Sequence, residues 1–150
     1  MNSTAGFTLI ETVCSLAIIA MLAAVVLPAI PRSTTQPRLA GFAVEIAGLL
    51  KGDRNAAIRQ NRPVSTTLDA DRRIVRSGAT AAVVEIPADV TFSALLAQRC
   101  AGHPVGATID FFRTGASCGG VIAISRQGFG YQIRVNWLTG AVEVVAAGES

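Results

Sequence analysis

Twenty-one consecutive residues, Phe7 to Leu27, carry one charge between them, that of Glu11. As a helix this run rises about 30 Å, the hydrocarbon thickness of a bilayer. A helix that is apolar all round is buried in lipid or among other helices, not laid on the surface of a small domain. A secretory signal would have a basic n-region, a shorter apolar core and a small-residue cleavage site. Met1–Gly6 holds no Lys or Arg, and the run is long. A plain anchor fits the length but not Glu11. A carboxylate about one turn inside such a helix costs several kcal/mol unless it is paired or near the interface. Glu11 is therefore a functional residue on physical grounds.

The remaining chain is folded and nearly neutral. Half of the 150 residues are apolar (51%) and 15% are charged, which excludes a disordered protein. The net charge of +3 comes from one stretch. Residues 32–62 hold six Lys/Arg against two acids, whereas residues 63–150 hold seven of each. A balanced C-terminal part offers no basic face, so no nucleic-acid partner is expected.

Pro28, Pro31 and Pro37 punctuate the stretch after the apolar run. Proline removes a helix donor and clashes with the preceding turn. A kink at Pro28, or a break across Pro28–Pro37, is expected. Helical spacing resumes with Leu39, Phe42, Ile46 and Leu49, and predicts an amphipathic helix over Arg38–Gln60. After Pro63 the period becomes two. Strands are expected at Val64–Leu68, Arg72–Arg76, Ala81–Ile86, Val90–Leu95, Thr108–Phe112, Val121–Ser125, Tyr131–Asn136 and Ala141–Val145. Arg99–Pro104 reads as a loop. A long helix followed by meandering strands defines an α+β fold.

Few residues suggest chemistry. Cys100 and Cys118 have 17 residues between them. In a small domain outside the cytoplasm two such cysteines usually form a disulfide, and closing that loop contributes about 3 kcal/mol in the chain-entropy model. Free thiols, or a metal set with His103, are the alternatives. Structural zinc wants a fourth ligand and none is evident, so no metal is expected. Asp69 and Asp71 suit a turn better than the 6–8 oxygens of a calcium shell. No nucleophile has an orienting partner, no Gly-rich loop opens a helix, and no cofactor or enzymatic activity is expected. Trp137 is expected to pack in the core or in a turn.

Gly6-Phe7-Thr8-Leu9-Ile10-Glu11, the apolar helix and Pro28 resemble the N-terminus of type IV pilins and type II secretion pseudopilins. The resemblance implies a leader ending at Gly6, cleavage between Gly6 and Phe7 by a prepilin peptidase, and N-methylation of Phe7. It implies that Glu11 then pairs with the N-terminal ammonium of a neighbouring subunit. Family leaders are basic and this one is not. The positive-inside count places Arg32 and Arg38 on the cytoplasmic side, and the family orientation places them outside. A second likeness covers Ile109–Gly115, Gly119–Ile122 and Ile133–Val142. These segments resemble the minor pseudopilins H of type II secretion and, more loosely, the minor pilins FimT.

The resemblance implies a type IV pilin-like fold, a long N-terminal helix packed on an antiparallel β-sheet domain. The segments would be a leader (1–6), a transmembrane and filament-core helix (7–30), an amphipathic stem (31–62) and a periplasmic β-rich domain (63–150). It implies a single-pass inner-membrane protein of a periplasmic pseudopilus. Its partners would be the major and other minor pseudopilins, the outer-membrane secretin and secreted proteins. A FimT-like minor pilin engaged in DNA uptake is the alternative, and a membrane-anchored enzyme would need a polar cleft that the sequence lacks.

Overall fold

The computed structural model describes residues 6–26 and 33–148, which fall into two units divided at Ser33–Thr34. Pro28 and Pro31, and with them the expected kink, lie outside the described residues.

The first unit is a single helix, α1 (Leu9–Val26). Ala, Leu, Ile and Val dominate it, and Glu11 in its first turn complements the positive end of the helix dipole. Thr12 and Ser15 donate their hydroxyls back to the carbonyls of Leu9 and Glu11, at 2.8 Å each, so neither leaves an unsatisfied polar group on an apolar surface. Every side chain described in α1 is exposed. Among the described residues no helix is long and apolar enough to cross a membrane. Eighteen residues of α1 rise about 27 Å, and the apolar run of the sequence continues to Leu27, which lies outside the described residues.

The second unit opens with α2 (Gln36–Gln60). It begins two residues earlier than its apolar spacing suggests, because Pro37 sits in the first turn, where its missing N–H costs nothing. It ends at Asn61, whose left-handed conformation (φ 51°, ψ 38°) caps the carbonyls of Ala57 and Ile58, and Pro63 forbids continuation. Leu39, Ala43, Ile46, Ala47, Leu50, Ala56 and Ala57 form its buried stripe.

Ten strands follow, all paired antiparallel: β1 (Val64–Asp69), β2 (Ile74–Arg76), β3 (Val83–Glu85), β4 (Thr91–Leu96), β5 (Arg99–Cys100), β6 (His103–Pro104), β7 (Thr108–Phe111), β8 (Gly120–Arg126), β9 (Phe129–Val135) and β10 (Val142–Gly148). They form two four-stranded sheets, β3-β2-β1-β7 and β10-β9-β8-β4, plus the β5–β6 hairpin. The stretch Arg99–Pro104, expected as a loop, is that hairpin, with Cys100 opposite His103. Alternation sends Val64 and Leu68 of β1, Ile122 and Ile124 of β8, and Ile133 and Val135 of β9 into one core with Phe111 and the α2 stripe. Gln127 and Gly128 both have positive φ and make the two-residue turn between β8 and β9 that matches the strand twist. The result is α+β, a long helix lying on antiparallel sheets.

Candidate functional site

The N-terminal residues come first. Gly6 and Phe7 precede α1, and an added Cβ at Gly6 would meet nothing within 4 Å. Phe7, Leu9 and Ile10 are all more than 70% exposed. Glu11 has no ion-pair partner among the described residues. α1 thus offers an uncovered apolar cylinder with one carboxylate near its start. That arrangement does no bond chemistry on its own. It specifies a place where the helix is surrounded by apolar groups and met by a cation at the level of Glu11.

In the second unit, polar side chains fix the ends of elements. Asp53 of α2 is buried among apolar neighbours, yet its carboxylate is fully engaged. It accepts from the Thr66 hydroxyl (2.6 Å), the Ser77 hydroxyl, Gly78 N–H (2.9 Å) and Ala79 N–H (3.2 Å). The helix is thereby tied to β1 and to the loop after β2. Gly78 is required there, since a Cβ would fall 2.2 Å from the Ser65 carbonyl oxygen. Asp53 was not singled out from the sequence, although it occupies a core position, three residues after Leu50 and seven after Ile46.

At the start of α2 the backbone N–H and the hydroxyl of Thr34 donate to Asp89, at 2.7 and 2.9 Å. Arg126 Nε lies 3.1 Å from the same carboxylate, and Arg126 also donates to the Thr34 carbonyl. The Thr34 N–H, then its hydroxyl, and the Arg126 charge hold the Asp89 carboxyl below its usual range, against a desolvation that would raise it.

Arg54 pins a cluster of loops at the far end of α2. Its Nε donates to the carbonyls of Gly115 and Thr139, both at 3.1 Å. The β9–β10 turn beside it is held by hydrogen bonds. Asn136 Oδ1 accepts from Leu138 and Thr139 N–H, at 2.9 and 3.1 Å, and Ser117 N–H donates to the Trp137 carbonyl at 2.9 Å. Gly140 has φ 64°, and a Cβ there would lie 2.0 Å from the Gly115 oxygen. Trp137 does not enter the core. It is 67% exposed at the tip of this turn, beside the exposed Leu138. Behind it a hollow of about 620 Å³ is lined by Leu96, Cys118, Gly120, Val135 and Trp137 among others.

Cys118 is disulfide-bonded to Cys100, with Cα atoms 5.6 Å apart. The bridge ties the β5–β6 hairpin to the segment entering β8, and leaves His103 as an exposed strand residue opposite Cys100. Cys14 in α1 is a free, exposed thiol. The structure therefore gathers the expected site residues in two places, Gly6, Phe7 and Glu11 around α1, and Cys100 and Cys118 at the loop cluster.

Residues 1–27 match the prokaryotic N-terminal methylation motif. No curated protein sequence matches the chain. The fold is similar to that of the minor pseudopilin EpsH from the type 2 secretion system of Vibrio cholerae. The TM-score is 0.58 at 14% identity, over 74% of this chain and 98% of that one. It is also similar to the type IV minor pilin FimU of Pseudomonas aeruginosa PAO1, with a TM-score of 0.53 at 17% identity, over 73% of this chain and 90% of that one. The chain thus carries a prepilin-type methylation motif on a type IV pilin-like fold. Its structural likeness is to minor pseudopilins and minor pilins, which are pilin-like subunits rather than enzymes.

Proposed function

We propose that the protein is a minor pseudopilin, a structural subunit of the periplasmic pseudopilus of a type II secretion system. The observation that carries this reading is the methylation motif set on a helix whose described side chains are all exposed. In this reading residues 1–6 are a leader and Phe7–Leu27 waits in the inner membrane. Residues 31–62 form the stem, and residues 63–150 the periplasmic domain. A prepilin peptidase hydrolyses the Gly6–Phe7 peptide bond and the freed Phe7 amine is methylated. Glu11 then pairs with the Phe7 ammonium of a neighbouring pseudopilin. The pair removes the desolvation cost that Glu11 bears alone in an apolar surround, so that cost selects the register of assembly. The Cys100–Cys118 bridge suits an oxidising periplasm. The domain surface then meets other pseudopilins, the secretin or secreted proteins.

A minor pilin of a type IV pilus is the second reading, supported by the likeness to FimU. The intact mass of the full chain from membranes of cells with and without prepilin peptidase tests what the two readings share. Loss of Met1–Gly6 together with a gain of about 14 Da for one methyl, only with the peptidase, is expected. An uncut chain in both cells sinks both readings. Deletion of the gene separates them: lost exoprotein secretion with intact pili supports the pseudopilus, and the reverse supports the pilus.

A further inference from the structure

We propose that the outer edge of β4 is a strand-addition site, where an extended segment of a partner protein, free of basic residues, joins the second sheet as a fifth strand. This goes beyond the role of filament subunit and does not depend on which system the subunit serves. A sheet edge presents a row of N–H and C=O groups that only another extended backbone can satisfy along its length, and proteins blunt such edges with charges, proline, short strands or a covering segment.

Three of the four edges of the two four-stranded sheets are blunted. β3 has three residues and ends in Glu85. The outer edge of β7 is covered by the segment that follows it, through Phe112 N–H to the Ala116 carbonyl, Cys118 N–H to the Asp110 carbonyl, and the Phe111–Ser117 bridge. β10 carries the exposed Glu143.

β4 has none of these devices. Its six residues, Thr-Phe-Ser-Ala-Leu-Leu, include no charge, proline or glycine. It pairs with β8 along its whole length and ends the sheet. Among the described residues no other hydrogen bond reaches its backbone, so alternate residues turn their N–H and C=O groups outward. Its entrance is held fixed, by Asp89 on Thr34 and Arg126, and by Arg73, which donates to the carbonyls of Ile86, Pro87 and Val90. Phe92 and Leu96 pack against the core, and Leu95 on the other face is 76% exposed. Beside Leu95 a hollow of about 420 Å³ is lined by Ser93, Val121, Ala123 and Arg134. An apolar side chain of the added strand, placed next to Leu95, fills it. β4 offers a basic partner no counter-ion, and the Arg134 guanidinium in the hollow repels one, so the added strand carries no lysine or arginine beside Leu95.

The test uses the full chain in detergent micelles and a capped heptapeptide of alternating threonine and valine as the probe. At saturating peptide, hydrogen exchange at the outward amides of β4 slows about tenfold, while β10 and β3 exchange as before. The same peptide N-methylated at every residue gives no protection. Ala94→Lys abolishes the effect at unchanged Tm, and Ser93→Lys replaces it if the first variant is destabilised. Absent protection, equal protection at another edge, or protection that survives N-methylation each overturns the proposal. Concentration-dependent self-association that Ala94→Lys abolishes also overturns it, by giving the edge to a second copy of this chain.

Discussion

The two helices use the same backbone for opposite ends. α1 is apolar around its whole circumference and every side chain described in it is exposed. α2 alternates faces, and Leu39, Ala43, Ile46, Leu50 and Ala57 along one stripe are completely buried. α2 is stabilised by its own chain, since each large side chain buried there contributes about 1.5–3 kcal/mol. α1 has no such cover within its unit, so its sequence describes surroundings that its own unit does not provide. Mutations in α1 should therefore change assembly without changing the stability of the folded domain, and mutations in α2 the reverse.

The largest effect expected is at Glu11. Glu11→Ala should reduce incorporation into filaments to background in cells, while the thermal midpoint of the sheet domain stays where it was, because Glu11 has no ion-pair partner among the described residues. Filament pull-down beside a thermal melt of the purified full chain reads both. Incorporation at the normal level would remove the role assigned to Glu11. Leu50→Ala is the mirror experiment. It empties a completely buried site between α2 and the sheets and should cost about 3 kcal/mol in urea unfolding. A loss under 1 kcal/mol would mean that the stripe is not the seam of the domain.

Asp53→Asn is the subtler test of α2. The carboxylate accepts four hydrogen bonds, and an amide presents two donors to groups that are themselves donors. A loss of about 2 kcal/mol is expected, with faster hydrogen exchange at Gly78 and Ala79. Unchanged exchange at those two amides would show that the loop after β2 is held by something else.

How much of this was legible in the sequence follows the same division. Glu11 stands out because a charge in an apolar run violates a strong local pattern. Eight of the ten strands were legible from period two, while β5 and β6 were not, because the short run Arg99–Pro104 reads as a loop. The pairing order of the two sheets was not, because the loops between strands constrain connection and not neighbourhood. Asp53 was hidden although it holds a core position on the wheel, since a carboxylate in that register reads as a surface residue until its four donors, drawn from β1 and the loop after β2, are brought together. Trp137 was half legible, expected in the core or in a turn and found exposed in a turn. Its bulk suggests burial, whereas the Asn136–Gly140 turn that carries it is satisfied by its backbone and needs no side-chain anchor.

The smallest effect sharpens the same contrast at the N-terminal end of α2. Thr35, at the N-cap, makes no side-chain capping bond, and Asp89 from across the chain binds the Thr34 N–H and hydroxyl instead. Because Thr34 and Arg126 lower the Asp89 pKa in the folded state, the unfolded chain takes up the proton first as pH falls. The stabilisation from this carboxylate is complete above its unfolded pKa, and it drains away below about pH 4, through the lower folded value. Asp89→Asn should be less stable than the parent at pH 7, and the gap should close as the pH is taken down through that range. Urea midpoints for both proteins at a series of pH values follow it. A gap that stays constant to the lowest pH at which the domain is folded would show that Asp89 acts on α2 through packing rather than charge.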